Sequence, residues 1–166
     1  MSDDAVQIVL REVEDADLHA FYSYLQDPRA QAMASSSAED GSDPQAFDAY
    51  WGKLRRSQTA VARTIAQADD PEHAVLGHIE KFEDESQPYV RYWVDRDFWG
   101  RGIGTQALRM FLDEVVTERP IFARQNRSNE ASMRILKRNG FKMAGQDTGF
   151  DVGRGRMVDD IIMRLA

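Results

Sequence analysis

The sequence contains no cysteine, only three histidines and no long apolar run. Without cysteine there is no disulfide framework, no cysteine zinc site and no thiol nucleophile, so acyl transfer cannot pass through a cysteinyl thioester. His19, His73 and His78 lack the i, i+4 spacing of a helical metal site, and no metal is expected. No apolar stretch approaches the roughly 18 residues of a membrane span, and the acidic start does not resemble a secretory signal. We therefore expect a cytoplasmic protein.

Basic residues are also in the minority, with 21 Lys and Arg against 28 Asp and Glu and a net charge of −7. This balance argues against a general nucleic-acid binder, which needs a net basic face to displace counterions. The charge is uneven, because residues 1–95 hold 8 basic and 19 acidic side chains whereas residues 96–138 hold 9 and 5. The basic middle segment indicates an anionic ligand there, and the acidic first half a cationic partner. Solvated helix faces are the simpler alternative.

The chain of 166 residues, 42% of them apolar, is long enough for one well-buried core. Apolar periodicity predicts several helices and strands without an internal repeat or linker, which indicates one mixed α/β (α+β) domain over residues 1–166. The predicted strands are 6–13, 59–67, 74–82, 89–94, 120–125, 141–146 and 156–165. The predicted helices are 14–28, 44–57, 105–118 and 129–140. A polar loop is predicted at 34–44, turns at 68–73 and 83–88, and a glycine-rich loop at 147–155.

The chemically informative segment is Trp99-Gly-Arg-Gly-Ile-Gly-Thr105, which links a strand to a helix N-terminus. Its glycines allow a ligand close to the backbone, and the free N–H groups of the helix favour phosphate. The segment lacks the lysine of a Walker A loop. It formally matches the dinucleotide pattern G-x-G-x-x-A, but residues 95–99 separate the glycines from the strand and the alternating βαβ pattern is missing. A tight turn with no ligand is the structural alternative.

Two stretches carry a family resemblance: YWVDRDFWGRGIGTQALRMFL and, further on, NRSNEASMRILKRNGF. Together they resemble the GNAT superfamily of acyl-CoA-dependent N-acetyltransferases, and LREVEDADLHAFYSYLQDP resembles the start of its ribosomal-protein (RimJ/RimL-like) branch. The resemblance implies the GNAT fold, a twisted and mostly antiparallel sheet with helices on both faces and a V-shaped split between two central strands. It places that split between strands 89–94 and 74–82.

The same resemblance implies the cofactor-binding residues. The backbone amides from Arg101 through Gly102, Ile103 and Gly104 to Thr105 would hold the pyrophosphate of acetyl-CoA. Trp93 and Val94 would bind the pantetheine arm, and the Val94 amide could also steady the thioester oxygen. Asn129 matches a family asparagine that contacts the cofactor, and Arg134, Lys137 or Arg138 could meet its 3′-phosphate. The family pattern has Arg or Gln where this chain has Trp99, which weakens a side-chain grip on phosphate there.

Catalysis needs a base for the amine and a donor for the leaving thiolate. Glu80 is the first base candidate, with His78 as its alternative. The non-catalytic interpretation of Glu80 is an exposed carboxylate on a strand. Ser132 matches the serine of the family N-x-x-S motif and is the candidate acid, although it could merely face the cofactor. The tyrosine that acts as acid in many other members has no counterpart, because residues 133–141 contain no tyrosine.

The resulting hypothesis is direct acetyl transfer from acetyl-CoA to a primary amine in a ternary complex. The acceptor would be a protein N-terminus, which the branch resemblance favours slightly, or a small-molecule amine. The alternatives are a non-catalytic CoA-binding sensor module and an acyltransferase using another donor such as succinyl-CoA, which would want a cation such as Arg91 near the thioester. Neither nucleic acid nor membrane is an expected partner, and the sequence leaves a homodimer open.

Overall fold

The computed structural model describes residues 6–28, 43–70, 74–151 and 155–166, and these build one seven-stranded sheet. The spatial strand order is β1-β2-β3-β4-β5-β7-β6, and neighbours pair antiparallel except β4 with β5, which run parallel. No helix in the described ranges is long and apolar enough to cross a membrane. The strands are β1 (Ile8–Arg11), β2 (Val61–Gln67), β3 (Val75–Asp84), β4 (Gln87–Val94), β5 (Ile121–Asn126), β6 (Lys142–Asp151) and β7 (Arg156–Leu165).

Four helices are described, and local signals set their ends: α1 (Asp15–Leu25), α2 (Pro44–Arg56), α3 (Ile103–Met110) and α4 (Glu130–Arg138). Asp43 caps α2 by accepting from the Gln45 amide, and Pro44 stands at the first helical position, where its missing N–H costs nothing. A wider π-type turn continues α3 over Phe111–Val115. The predicted helices are therefore confirmed, although α1 ends three residues before Pro28.

Each face of the sheet is covered by one helix pair, which gives two apolar cores. On one face α3 and α4 bury a cluster that includes Leu108, Phe111 and Leu136 against the strands. On the other face α1 and α2 enclose a smaller aromatic cluster of Phe21, Phe47, Trp51 and Leu54. The mixed α/β architecture with helices on both faces is thus confirmed.

Two predicted loops are shorter than the sequence suggested. Residues 83–88 were expected to form a turn, yet β3 and β4 are joined by Glu85 and Ser86 alone, both at positive φ as a tight hairpin turn requires. Residues 147–151, expected in a glycine-rich loop, continue β6 and pair with β7 up to Asp151 opposite Arg156. Cross-strand pairing outweighs the weak strand propensity of glycine here. Most of the predicted loop 34–44, the end of turn 68–73 and His73 lie outside the described residues.

The split in the sheet lies between β4 and β5, so its expected position between β3 and β4 is wrong. β3 and β4 stay in register over eight pairs, from Gly77 opposite Val94 to Asp84 opposite Gln87. β4 and β5, in contrast, pair at one position, Tyr89 with Phe122. A two-residue hairpin keeps β3 and β4 together, whereas a long crossover through α3 allows β4 and β5 to diverge. Beyond Tyr89 and Phe122 the two strands therefore enclose a cleft.

Candidate active site

The cleft between the diverging strands has a volume of about 420 Å³, and its walls are mainly apolar. The end of β4 forms one wall, β5 and the start of α4 form another, and the glycine loop before α3 closes one end. The described lining residues are Arg91, Tyr92, Trp93, Val94, Phe98, Trp99, Gly100, Gly102, Ile103, Gly104, Thr105, Arg124, Gln125, Asn129, Ala131, Ser132, Arg134, Ile135 and Arg138. Ligand sites in proteins combine an apolar wall with a few placed polar groups, and this cleft has that character.

The glycine loop presents backbone N–H groups to the cleft. Gly100 and Gly102 have φ of 81° and 76°, left-handed values that favour glycine, and Gly102 is the N-cap of α3. The first amides of α3, at Ile103 to Thr105, have no carbonyl partner within the helix. These amides and the positive end of the helix dipole are suited to a phosphate group.

Gly104 also lets α4 approach the start of α3. A Cβ on this residue would lie 2.6 Å from Ile135 Cδ1, well inside van der Waals contact. The close approach keeps the N-termini of both helices at the same cleft.

Trp99 occupies the position at which the resemblance would place Arg or Gln. Its indole Nε1 donates to the Val94 carbonyl at 2.8 Å, and 40% of the residue remains exposed. The side chain thus fastens the loop to the end of β4 and adds apolar wall to the cleft. Trp99 supplies no charge for a phosphate, so no side chain at this position replaces the Arg or Gln of the family pattern.

Ser132 and Asn129 lie at the N-terminus of α4 and line the cleft. Asn129 Oδ1 caps the helix by accepting from the Ser132 amide at 3.1 Å. Ser132 is 5% exposed, and its Oγ lies 2.6 Å from the Tyr92 hydroxyl of β4. The sequence did not predict Tyr92 as a functional residue. Alternation along β4 could have placed it on one face with Val90 and Val94, but no local pattern pairs residues 40 positions apart.

Glu80 is buried rather than exposed, so the reading as an exposed strand carboxylate is wrong. Its carboxylate is fully buried and lies 2.8 Å from His78 Nδ1, 3.3 Å from Arg91 Nε and 3.3 Å from the Tyr50 hydroxyl. The helix α2 covers this side of β3, which strand alternation alone could not reveal. Glu80 and His78 do not line the cleft, whereas Arg91 does.

The basic residues near the cleft differ in their contacts. Arg134 and Arg138, one turn apart on α4, line the cleft, whereas Lys137 does not. The Arg101 guanidinium instead lies over the Phe98 ring, 5.5 Å from its centroid, and Arg101 is not among the residues that line the cleft. Arg124 of β5 is held by Asp147 and Asp160 at 2.9 and 3.2 Å. Burial alone would lower the pKa of Arg124, but these two carboxylates raise it, which keeps the guanidinium charged.

An extended anion with an apolar arm fits this set of groups. The glycine loop offers backbone amides to such an anion, and its positive φ values at Gly100 and Gly102 would be strained in a residue with a Cβ. Arg134 and Arg138 provide positive charge at the same cleft. Within the described ranges no group of three or more His, Asp or Glu side chains could hold a metal ion.

Residues 7–142 match the family model described as acetyltransferase (GNAT) domain. A search of curated proteins gave no significant match.

Solved structures similar to this chain include three acetyltransferases. The spermidine N-acetyltransferase of Vibrio cholerae, in complex with CoA and spermine, has a TM-score of 0.77 at 16% identity and covers 96% of this chain and 95% of its own. Mycobacterium smegmatis RimJ, in complex with CoA-disulfide, has a TM-score of 0.73 at 22% identity over 98% of this chain and 82% of its own. The ribosomal-protein-S5-alanine acetyltransferase of Vibrio fischeri has a TM-score of 0.69 at 17% identity over 95% and 92%. At these identities the likeness concerns the fold.

Proposed function

The chain belongs to the GNAT acetyltransferase family, and from that premise we propose that it moves an acetyl group from acetyl-CoA directly to a primary amine. The observation that carries this proposal is the cleft between β4 and β5, closed by the glycine loop at the N-terminus of α3. The amides of Arg101 to Thr105 would hold the pyrophosphate, and Arg134 and Arg138 would meet the 3′-phosphate. Trp93, Val94 and Asn129 would line the path of the pantetheine arm.

When bound, acetyl-CoA supplies a thioester whose C–S bond breaks as the amine nitrogen forms a C–N bond, the sulfur keeping the bonding electron pair. The chain's own residues position the reactants and stabilise the charge that develops. The Val94 amide would donate to the thioester oxygen, and Ser132 would donate a hydrogen bond to the departing sulfur. The proton that the amine loses balances the one that the free thiol finally gains.

The surroundings of Arg91 favour acetyl over succinyl as the acyl group. Arg91 is the cationic residue on β4 that could meet a succinyl carboxylate, but its Nε donates to the buried Glu80 carboxylate at 3.3 Å. The Glu80 carboxylate already balances the charge of this guanidinium, so a second carboxylate in the cleft would be attracted to it less strongly. A neutral acetyl group does not depend on that charge.

Glu80 stays the candidate base in this proposal, and its position outside the cleft lining favours an acceptor that gives up its proton easily. At pH 7.4 a lysine-type amine of pKa about 10.4 costs roughly 4 kcal/mol to deprotonate, whereas an N-terminal amine of pKa about 7.7–8.0 costs less than about 1 kcal/mol. Glu80 does not line the cleft, so a proton from the amine would have to reach it through a relay such as a water molecule. A protein N-terminus is therefore preferred over a polyamine. The cytoplasmic location and a homodimer stay predictions.

The test is a thermal-shift titration with acetyl-CoA, CoA, succinyl-CoA and NADH. We expect stabilisation by acetyl-CoA and CoA, about 2.7 kcal/mol at 100 times the dissociation constant, and none by NADH. Gly102→Ala should remove this stabilisation. Gly149→Ala is the matched control, because Gly149 also has positive φ (105°) but lies in β6, outside the cleft. Stabilisation by NADH alone, or by none of the four, would overturn the proposal.

Turnover then separates the acceptor classes. We expect acetylation of peptides with a free N-terminus, with spermidine as the competing small amine, measured by mass spectrometry. A rate that is already maximal near pH 8 fits an N-terminal amine, whereas a rate that still rises above pH 9 indicates a polyamine or lysine-type acceptor. Tight acetyl-CoA binding without any acceptor would favour the sensor module instead.

A further inference from the structure

Two hydroxyl groups from different elements meet in the cleft. Tyr92 Oη, on β4, lies 2.6 Å from Ser132 Oγ, on α4, and 3.2 Å from the Ser132 carbonyl oxygen. Ser132 is buried, and Tyr92 reaches it from the opposite wall. A distance of 2.6 Å is short for two neutral hydroxyls, and each has a single hydrogen to give.

These two hydrogens can be arranged in two ways. In one arrangement Ser132 donates to Tyr92, and Tyr92 donates to the Ser132 carbonyl. In the other, Tyr92 donates to Ser132 Oγ, which leaves the serine hydrogen free to point into the cleft. Only rotation about two C–O bonds separates the arrangements, and no heavy atom needs to move.

We propose that Tyr92 is a positioning residue, an inference that rests on the proposed function. Tyr92 donates a hydrogen bond to Ser132 Oγ and thereby turns the serine hydrogen toward the departing sulfur. The serine keeps its proton and acts as a hydrogen-bond donor only. The first amides of α4 lie beside it and add partial positive charge near the sulfur. The chain thus uses a serine and a strand tyrosine together where many family members use one helical tyrosine.

Burial supports this role for the phenol. The interior raises the pKa of Tyr92 well above its ordinary value, and the hydrogen bond to Ser132 lowers it only in part. The phenol therefore keeps its hydrogen at neutral pH and well above it. A phenol that stays protonated is a dependable donor to Ser132 and an unsuitable source of protons.

The test measures the pKa of the thiol of bound CoA, which needs no acceptor. The thiolate absorbs in the ultraviolet, so titrating the wild-type complex and the Tyr92→Phe, Ser132→Ala and double-variant complexes gives this pKa directly. We expect Tyr92→Phe and Ser132→Ala each to reduce the thiolate fraction at a given pH about tenfold, one pKa unit. The double variant should lower the thiolate fraction no more than Ser132→Ala alone, because both changes remove the same hydrogen bond to the sulfur.

Tyr24→Phe is the matched control. The Tyr24 phenol is also partly buried and hydrogen-bonded, to the Val75 carbonyl, but Tyr24 does not line the cleft. Its removal should leave the pKa of the CoA thiol unchanged. CoA affinity at low pH, where the thiol is neutral, should stay within about twofold in all variants, which a merely structural role of Tyr92 would not allow.

The outcomes are distinguishable. If the wild-type chain does not bind CoA, the proposed function fails and this inference fails with it. If CoA binds but Tyr92→Phe leaves the thiol pKa at the wild-type value, or adds a separate loss to Ser132→Ala, the inference alone is overturned.

Discussion

Asp17 joins three elements through one buried carboxylate. It accepts two bonds from the Arg11 guanidinium, at 2.7 and 2.8 Å, and one each from the Glu14 amide and the Thr64 hydroxyl, both at 2.8 Å. Burial alone would raise the pKa of Asp17, but these donors outweigh it and hold the pKa below its usual value. The charge therefore stabilises the packing of α1 against β1 and β2.

Asp17→Asn should lower the free energy of unfolding by about 2 kcal/mol at pH 7, because Arg11 and Thr64 lose an ionised partner. Since the folded-state pKa is lowered, the contribution of Asp17 is complete above the ordinary aspartate pKa of about 3.9 and is lost as the pH falls through the folded value. Urea unfolding at several pH values measures the difference between the two proteins.

Asp15→Asn is the control for this change. Asp15 also binds an arginine, Arg55 at 2.7 Å, but its side chain is 92% exposed, and exposed pairs contribute little. The prediction is wrong if both variants lose the same stability, or if the Asp17 difference grows as the pH falls.

At the scale of elements, the contact of β3 with the end of β4 depends on Gly77. A Cβ on Gly77 would lie 2.0 Å from the Trp93 carbonyl oxygen, a backbone atom that no rotamer change can move. Gly77 pairs with Val94, so this contact fixes the residue proposed to face the thioester.

Gly77→Ala should therefore lower the free energy of unfolding by about 3 kcal/mol and weaken CoA binding, because β4 must shift. Gly145→Ala should change neither by more than about 0.5 kcal/mol, since nothing lies within 4 Å of a Cβ there. Thermal unfolding and CoA titration of the two variants measure the effects. Equal stability of the two variants would contradict this account of the strand contact.

The features that could be predicted from the sequence are those set by neighbouring residues in the chain. The glycine loop, the Asn129 cap and Ser132 follow from short motifs, and each helix follows from its apolar stripe and end signals. The partners that come from distant elements were not predictable. Tyr92 meets Ser132 only because β4 and α4 flank one cleft, and Glu80 meets Tyr50 only because α2 packs on this side of β3. The site of the split required knowing which strands are neighbours, which no periodicity gives.

At the scale of the whole molecule, the sheet consists of two wings that meet at the Tyr89–Phe122 pair. One wing contains β1 to β4, and the other contains β5, β7 and β6. Past this pair the facing edges of β4 and β5 have no ladder partner in the described structure. A ligand in the cleft would supply the missing contacts.

CoA should therefore slow amide hydrogen exchange in segments 91–94 and 101–105, because both gain a bound partner. Segment 142–151 is the internal control, since β6 lies at the far edge of the sheet and should exchange as before. Exchange followed by mass spectrometry measures this difference. Uniform slowing across both wings, or none at the cleft, would contradict the two-wing description.

The two wings of the sheet are formed by two consecutive parts of the polypeptide chain. Every described strand before residue 116 belongs to one wing and every strand after residue 120 to the other, so the backbone crosses the divide once. Two fragments separated in that crossing would each retain an unbroken set of strands. Their reassembly would rebuild the cleft at the junction, so we expect a ligand held there to favour association of the two fragments.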